Sequence, residues 1–218
     1  FTYLEMTRGV RDAVLDPGFF DEPTASAHAD ALFARLYFDA FDNWEAGRLA
    51  DVPGVWRIAF GAAGRGTANA ATDLLLGMNA HIARDLPYVV ADIAQWQQEV
   101  DTDPSDFERI NDVIARVKGP MLRRSAERFD PSLILLDLPL PALAAGDGVE
   151  LIGRWRNQAL ARGIRLSQAR TDAERAAVEG EIEREAMATA VLLLNAGTTL
   201  PSPISPADRD AYCEARRP

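Results

Sequence analysis

The sequence predicts an all-α protein, and three observations carry that prediction. Apolar residues recur at spacings of three and four along most of the chain, helix start and stop signals bracket those runs, and the one conceivable strand, at residues 133–138, has no partner with which to make a sheet. The expected architecture is a single-domain, orthogonal or bundle-like array of about seven helices over residues 1–200 with a central polar pocket, followed by a Pro-rich tail at 201–218. A chain of 218 residues is long enough for one sizeable core, and 48% apolar with 26% charged residues is a composition that folds.

Each element has its own signal. Residues 1–16 form a short amphipathic helix through Leu4, Val10, Val14 and Leu15, stopped by Asp16-Pro17-Gly18, and Phe19 and Phe20 anchor the turn. From Thr24 to Gly47 the residues Ala27, Asp30, Ala31, Ala34, Tyr37, Phe38, Phe41 and Trp44 keep helical spacing, with Gly47 placed to end the run. Asp51-Val52-Pro53-Gly54 turns the chain before a short helix with Trp56 and Phe60. Gly61-Ala62-Ala63-Gly64-Arg65-Gly66 matches neither the P-loop nor the dinucleotide fingerprint and reads as a plain loop.

A central helix follows from about Thr67, and Pro87 ends or kinks it at Leu86 before a second helix through Val89, Val90, Ile93 and Trp96. After a capped linker at Thr102-Asp103-Pro104-Ser105, a helix through Phe107, Ile110, Val113, Ile114 and Val117 carries Asn111 beside its apolar stripe. Gly119-Pro120 breaks or bends it, and Met121 to Phe129 continues in helical style. Residues 130–150 read as a packed loop with a helical turn. Residues 149–166 are helical around Ile152, Trp155, Ala159 and Ile164. A capping box, Thr171-Asp172-Ala173-Glu174, opens a last long helix to Leu194, ended by Asn195-Ala196-Gly197. The tail is expected to order only where it docks.

The net charge of −10 repels nucleic acid and anionic membrane surfaces, so neither is expected as a partner. No apolar run reaches the roughly 18 residues of a membrane span. The single cysteine, Cys213, forms no internal disulfide, and a reducing, cytoplasmic setting is the simplest reading.

Candidate chemistry concentrates at Leu74 to Pro87, an apolar helical run that holds an asparagine, an imidazole, a guanidinium and a carboxylate. At about 100° per residue, Leu74, Met78, His81 and Asp85 share one side, with Asn79 and Ile82 beside them. His81 and Asp85 stand at i and i+4, so the carboxylate can orient the imidazole for acid–base work. Two plainer readings stand beside this one: Asp85 can cap the second helix, and His81 and Asn79 can be satisfied core residues mending backbone groups near Gly77 and Pro87. Asp30, on the aromatic stripe of its own helix, is either a second acid or a carboxylate placed against the helix dipole. His28 points elsewhere and reads as a surface histidine. With two histidines in the chain and no histidine cluster, a three-histidine zinc site is not supported; a carboxylate-rich metal site drawing on His81, Asp85 and Asp30 stands as a third reading, and no metal and no cofactor is the expectation. Arg123, Arg124 and Arg128, and then Arg154, Arg156, Arg162 and Arg165, leave open an anionic substrate; the cheaper reading pairs them with acidic side chains on neighbouring helices. Arg156 is singled out because it adjoins Trp155 on a helix that otherwise buries itself.

The stretches Gly18-Phe19-Phe20, Asp30 through Phe33 to Tyr37, and above all Gly77-Met78-Asn79-Ala80-His81-Ile82 running on to Asp85-Leu86-Pro87 resemble a family of bacterial helical proteins of unknown function, with weaker echoes at Arg109-Ile110-Asn111 and Trp155. The resemblance covers roughly residues 18–160; the apolar stretch at 133–148 does not align with it. It implies an all-α fold, directs attention to Asp30, Asn79, His81 and Asp85, and implies no reaction. The leading expectation is a small-molecule enzyme of lyase, cyclase or hydrolase type. His81 would act as acid–base, Asp85 would orient it, Asp30 would be a second acid, and Asn79, Tyr37, Trp155, Arg156 and Asn111 would contact substrate. The alternative is a non-catalytic ligand-binding or interaction domain in which the same polar residues form a structural network.

Overall fold

A computed structural model describes residues 1–66, 68–98, 105–137, 148–199 and 205–216. The described residues are overwhelmingly helical and contain no strand. The chain runs through α1 (Thr2–Val14), α2 (Pro23–Glu45), α3 (Gly54–Arg65), α4 (Ala70–Asn79), a π-helical segment (Ala80–Asp85), α5 (Leu86–Gln98), α6 (Ser105–Arg128), a 3-10 segment (Pro131–Asp137), α7 (Gly148–Gln168), α8 (Asp172–Thr199) and α9 (Pro206–Glu214).

Local chemistry accounts for several boundaries. Gly47, at φ 70°, takes the chain out of α2, its N–H donating to the Trp44 carbonyl at 3.0 Å. At the start of α8 the capping box closes reciprocally: Glu174 N–H donates to Thr171 Oγ1 at 3.2 Å, and Thr171 N–H donates to Glu174 Oε2 at 3.1 Å. One expectation needs correction and two are narrowed. The glycine-rich stretch 61–66 is not a loop: residues 61–65 are the last turns of α3, which ends where Gly66 adopts the left-handed conformation. Gly61 and Ala62 are buried there, so packing outweighs the roughly 1 kcal/mol that a helical glycine costs. Pro87 does not end the helical run: the α-helix stops at Asn79, passes through a π segment and resumes at Leu86. The Pro87 ring would collide with the carbonyl four residues back in an α-helix, and the wider π-turns of residues 80–85 lie just where that conflict falls, so α4 passes through them into α5. Pro120 likewise sits inside a continuous α6. The expected packed loop begins as the 3-10 segment at 131–137, while 138–147 and most of the linker before Ser105 lie outside the described residues.

The composite α4–π–α5 rod is the axis of the fold. The α5 helix lies along α7, α4 and α3 pack on α8, and the π segment touches α2, α3, α7 and α8, while α1 closes the far side against α2 and α6. The largest core cluster gathers Trp56, Leu76, Ala80, Trp155 and Ala190. In the tail, α9 docks through Arg209, which donates to the Ala68 carbonyl at 2.8 Å, and through Tyr212, whose hydroxyl donates to the Glu127 carbonyl at 2.9 Å. No helix of the described residues is long and apolar enough to cross a membrane.

Candidate functional site

The π segment sets the site. It carries His81, Arg84 and Asp85 into the middle of the helix array, and Asp85 is completely buried there. A carboxylate so placed requires donors, and Asp85 has three. Trp56 Nε1–H from α3 donates to its Oδ2 at 2.9 Å, Arg84 Nη1 donates to its Oδ1 at 2.9 Å, and His81 Nδ1 lies 3.1 Å from Oδ2. Because an ionised carboxylate only accepts, the His81 contact places the proton on Nδ1. Nε2 is then left with a lone pair, and it has no hydrogen-bond partner among the described residues.

Arg84 extends the network. Burial would lower its pKa, but the charge and hydrogen bond of Asp85, joined by Tyr88 and Glu183, outweigh burial and leave the guanidinium above its ordinary value. Its Nε stands 3.6 Å from Glu183 Oε2, its guanidinium lies over the Tyr88 ring at 4.6 Å, and the other Glu183 oxygen accepts from the Val55 N–H at 3.1 Å. The imidazole itself lies in an aromatic box. Phe33 stacks flat on it at 3.5 Å between ring centres with planes 5° apart, Tyr3 tilts against it at 4.9 Å, and Tyr37 and Trp56 stand at 6.2 and 6.1 Å. Tyr3 reaches that position because Gly77 lacks a side chain: a Cβ there would meet the Tyr3 hydroxyl at 2.7 Å. Burial pushes the Tyr3 hydroxyl well above its ordinary pKa, with Tyr37 and Asp85 adding to the shift.

His81 forms part of the wall of a cavity of about 310 Å³ between α1, α2, α5, α6 and α7, within the size range of small-molecule pockets. The lining is mainly apolar, with Phe33, Ile82, Ile110, Ile114 and Ile152 prominent, and the polar side chains set into it include Asp30, His81, Lys118 and Arg156. Asp30 is the eighth residue of α2, past the first turn where the helix dipole acts, and desolvation by burial pushes its carboxyl up to about 6. Arg156 is 5% exposed. Its Nε donates to Asn111 Oδ1 at 2.8 Å, Nη2 donates to the Phe107 carbonyl, and the guanidinium lies over the Phe107 ring at 4.2 Å. Burial lowers its pKa to about 10, opposed by Glu108.

The structure thus brings His81, Asp30 and Arg156 to one cavity, with Asp85 behind His81 and Asn111 behind Arg156. Three other sequence candidates stand elsewhere. Asn79 is fully buried and faces α8, its Nδ2 donating to the Ala186 carbonyl at 2.8 Å, with its Oδ1 unpartnered. Trp155 belongs to the main core cluster. Tyr37 lines a second cavity, of about 390 Å³, together with Tyr3, Trp56, Asp73, Asp130 and Arg209. His28 lies at the surface, 3.1 Å from Asp92. Of the other arginines singled out, Arg124 pairs with Glu5, Arg162 with Glu185, and Arg165 with Glu181 at 2.7 Å. Sequence reasoning passed over Trp56, Arg84 and Phe33 as partners of the dyad; the one available signal was that a buried carboxylate at 85 demands donors from somewhere. Among the described residues no group of three or more His, Cys, Asp or Glu side chains is placed to hold a metal ion.

No curated protein and no solved structure matches the chain. The family model that does match, over residues 1–196, is that of a family of unknown function, DUF5995, and the chain belongs to this family.

Proposed function

We propose that this protein is a small-molecule enzyme that takes an apolar substrate into the cavity beside His81 and uses the His81–Asp85 dyad for proton transfer. The observation that carries the reading is the imidazole's two-sided state: Nδ1 is committed to a buried carboxylate, while Nε2 is unpartnered on a residue that lines a ligand-sized cavity. Asp85 fixes the tautomer and stabilises the imidazolium formed when Nε2 accepts a proton. Trp56 and Arg84 hold the carboxylate in place, and Phe33 holds the ring in plane. Asp30, whose carboxyl keeps its proton up to about pH 6, supplies a second group able to donate within the same cavity. Lyase, cyclase and hydrolase reactions all use such a proton transfer.

The test is turnover across a panel of apolar esters, epoxides and enolisable ketones by wild type and by His81→Gln. Loss of the imidazole is expected to lower turnover about 100- to 10,000-fold while melting stays within a few degrees. Equal turnover in the variant overturns the reading.

One observation favours a second reading, a non-catalytic ligand-binding domain. Asp85 has all its oxygens occupied and, through Trp56, Arg84 and Glu183, ties α3, the π segment and α8 together, as a purely structural network does. On that reading ligand binding survives in His81→Gln, and wild type turns over none of the panel.

A further inference from the structure

In a chain with 33 acidic and 23 basic residues, a buried arginine has no shortage of possible partners. Arg109 has Asp21 and Asp106, Arg124 has Glu5, Arg162 has Glu185, and Arg165 has Glu181. Arg156, the buried arginine among the described residues, has no carboxylate within ion-pair distance there. It is 5% exposed, and its hydrogen bonds go to the amide oxygen of Asn111 and the main-chain carbonyl of Phe107. Both acceptors are neutral. They satisfy Nε and Nη2 without giving the guanidinium a direct ion pair: the carboxylate that acts on it, Glu108, does so at a distance, its Oε2 accepting from the Nδ2 of Asn111 at 2.9 Å, and a buried cation held only in this way is costly unless an anion meets it. Nη1 has no hydrogen-bond partner among the described residues, and Arg156 lines the cavity.

We propose that the ligand of this cavity is an apolar-bodied monoanion, a carboxylate or sulfonate on a hydrocarbon body, whose head group pairs with the Arg156 guanidinium. This rests on reading the cavity as a small-molecule site, and does not require that His81 be catalytic. Three features select the class. The lining around Ile82, Ile110, Ile114 and Ile152 favours hydrocarbon over a sugar or a nucleotide. The Asn111 and Phe107 contacts hold the guanidinium plane fixed, so its remaining edge is set for a planar or tetrahedral oxyanion. The carboxylates Glu22, Asp30 and Asp106 also face the cavity, and they disfavour a ligand with several negative charges. Asp106 is already occupied by the Asp21 and Glu22 N–H groups and by Arg109.

The test is calorimetric titration of the full chain with decanoate and with 1-decanol, which share a body and differ in the head. Decanoate is expected to bind about tenfold or more tighter than 1-decanol. Arg156→Met is expected to bring decanoate down to the affinity of 1-decanol while 1-decanol binds as before, and Arg156→Lys to keep part of the preference. Retained 1-decanol binding shows that the variant's cavity is intact; should Arg156→Met not fold, the wild-type comparison and the lysine variant decide. Equal binding of the two probes by wild type, or an undiminished preference in Arg156→Met, overturns the anion and leaves the acid–base reading of His81 standing. Binding of neither probe removes the small-molecule reading of the cavity itself. Unchanged decanoate affinity in a His81→Gln chain that turns over nothing would leave this inference in place without the enzyme.

Discussion

Replacing Asp85 by asparagine keeps the shape of the side chain and removes its charge, so it isolates what the buried carboxylate does. In the wild type, Oδ2 accepts from Trp56 and His81 while Oδ1 accepts from Arg84. An asparagine has one acceptor oxygen. Its better orientation leaves that oxygen with Trp56 and His81 and sets its amide N–H against the Arg84 guanidinium, donor facing donor. Arg84 is then left, largely buried, with Glu183 at 3.6 Å as its remaining carboxylate. The opposite orientation keeps Arg84 but leaves two donors without an acceptor, at about 1–3 kcal/mol each. Breaking one side of a buried ion pair costs about 3–5 kcal/mol, and the neighbouring Glu183 moves the expectation to the lower end, about 3 kcal/mol. At about 2–4 °C per kcal/mol for a chain of this size, the melting temperature should fall by about 6–12 °C. Scanning calorimetry with a matching urea titration measures it. A loss under about 1 kcal/mol would mean that Asp85 is not holding Arg84, Trp56 and His81 as described, and the orientation of the dyad would lose its physical basis.

The remaining predictions concern other parts of the same frame. Because burial raises the Asp30 carboxyl from 3.8 to about 6, the folded chain holds a proton that the unfolded chain releases between those values. Stability conferred by that proton is full below about pH 4 and is lost as pH rises through about 6, so Asp30→Asn should match wild type at low pH and exceed it above pH 6, read from urea midpoints. Gly163 sits where α7 meets α5, and an added Cβ would press on Val90 and approach the Pro87 carbonyl at 2.7 Å. Gly163→Val should therefore cost about 1–3 kcal/mol from overpacking, measured by chemical denaturation.

Much of the fold was legible because periodicity and caps are local signals. The helix of Thr24 to Gly47, the capping box at Thr171 and the amphipathic stripe from Phe107 all appear where spacing and end residues place them. The misreadings fell where packing overrode local preference. Gly61 and Gly64 lie in a helix whose buried face repays their flexibility, and neither Pro87 nor Pro120 interrupts the helical run that holds it. At the site, the His81–Asp85 contact followed from i, i+4 spacing alone. Trp56 could not be read as its partner because it arrives from 29 residues away. Arg84 was hidden for a different reason: adjacent residues do not face each other on an α-helix, and their contact belongs to the π segment. Asn111 and Arg156 were both singled out, but as separate substrate contacts; that one clamps the other depends on how α6 meets α7, which no local pattern encodes.

The claim on which the functional reading turns is that the His81 imidazole meets a guest molecule in the cavity. With two histidines in the chain and His28 at the surface, ¹⁵N-histidine labelling gives two ring systems that are readily told apart. Titration with 1-decanol should shift the His81 Nε2 resonance and leave the His28 ring unmoved, with the His81 proton resident on Nδ1 throughout. A His81 ring that does not respond to a bound probe, or that carries its proton on Nε2, would contradict it.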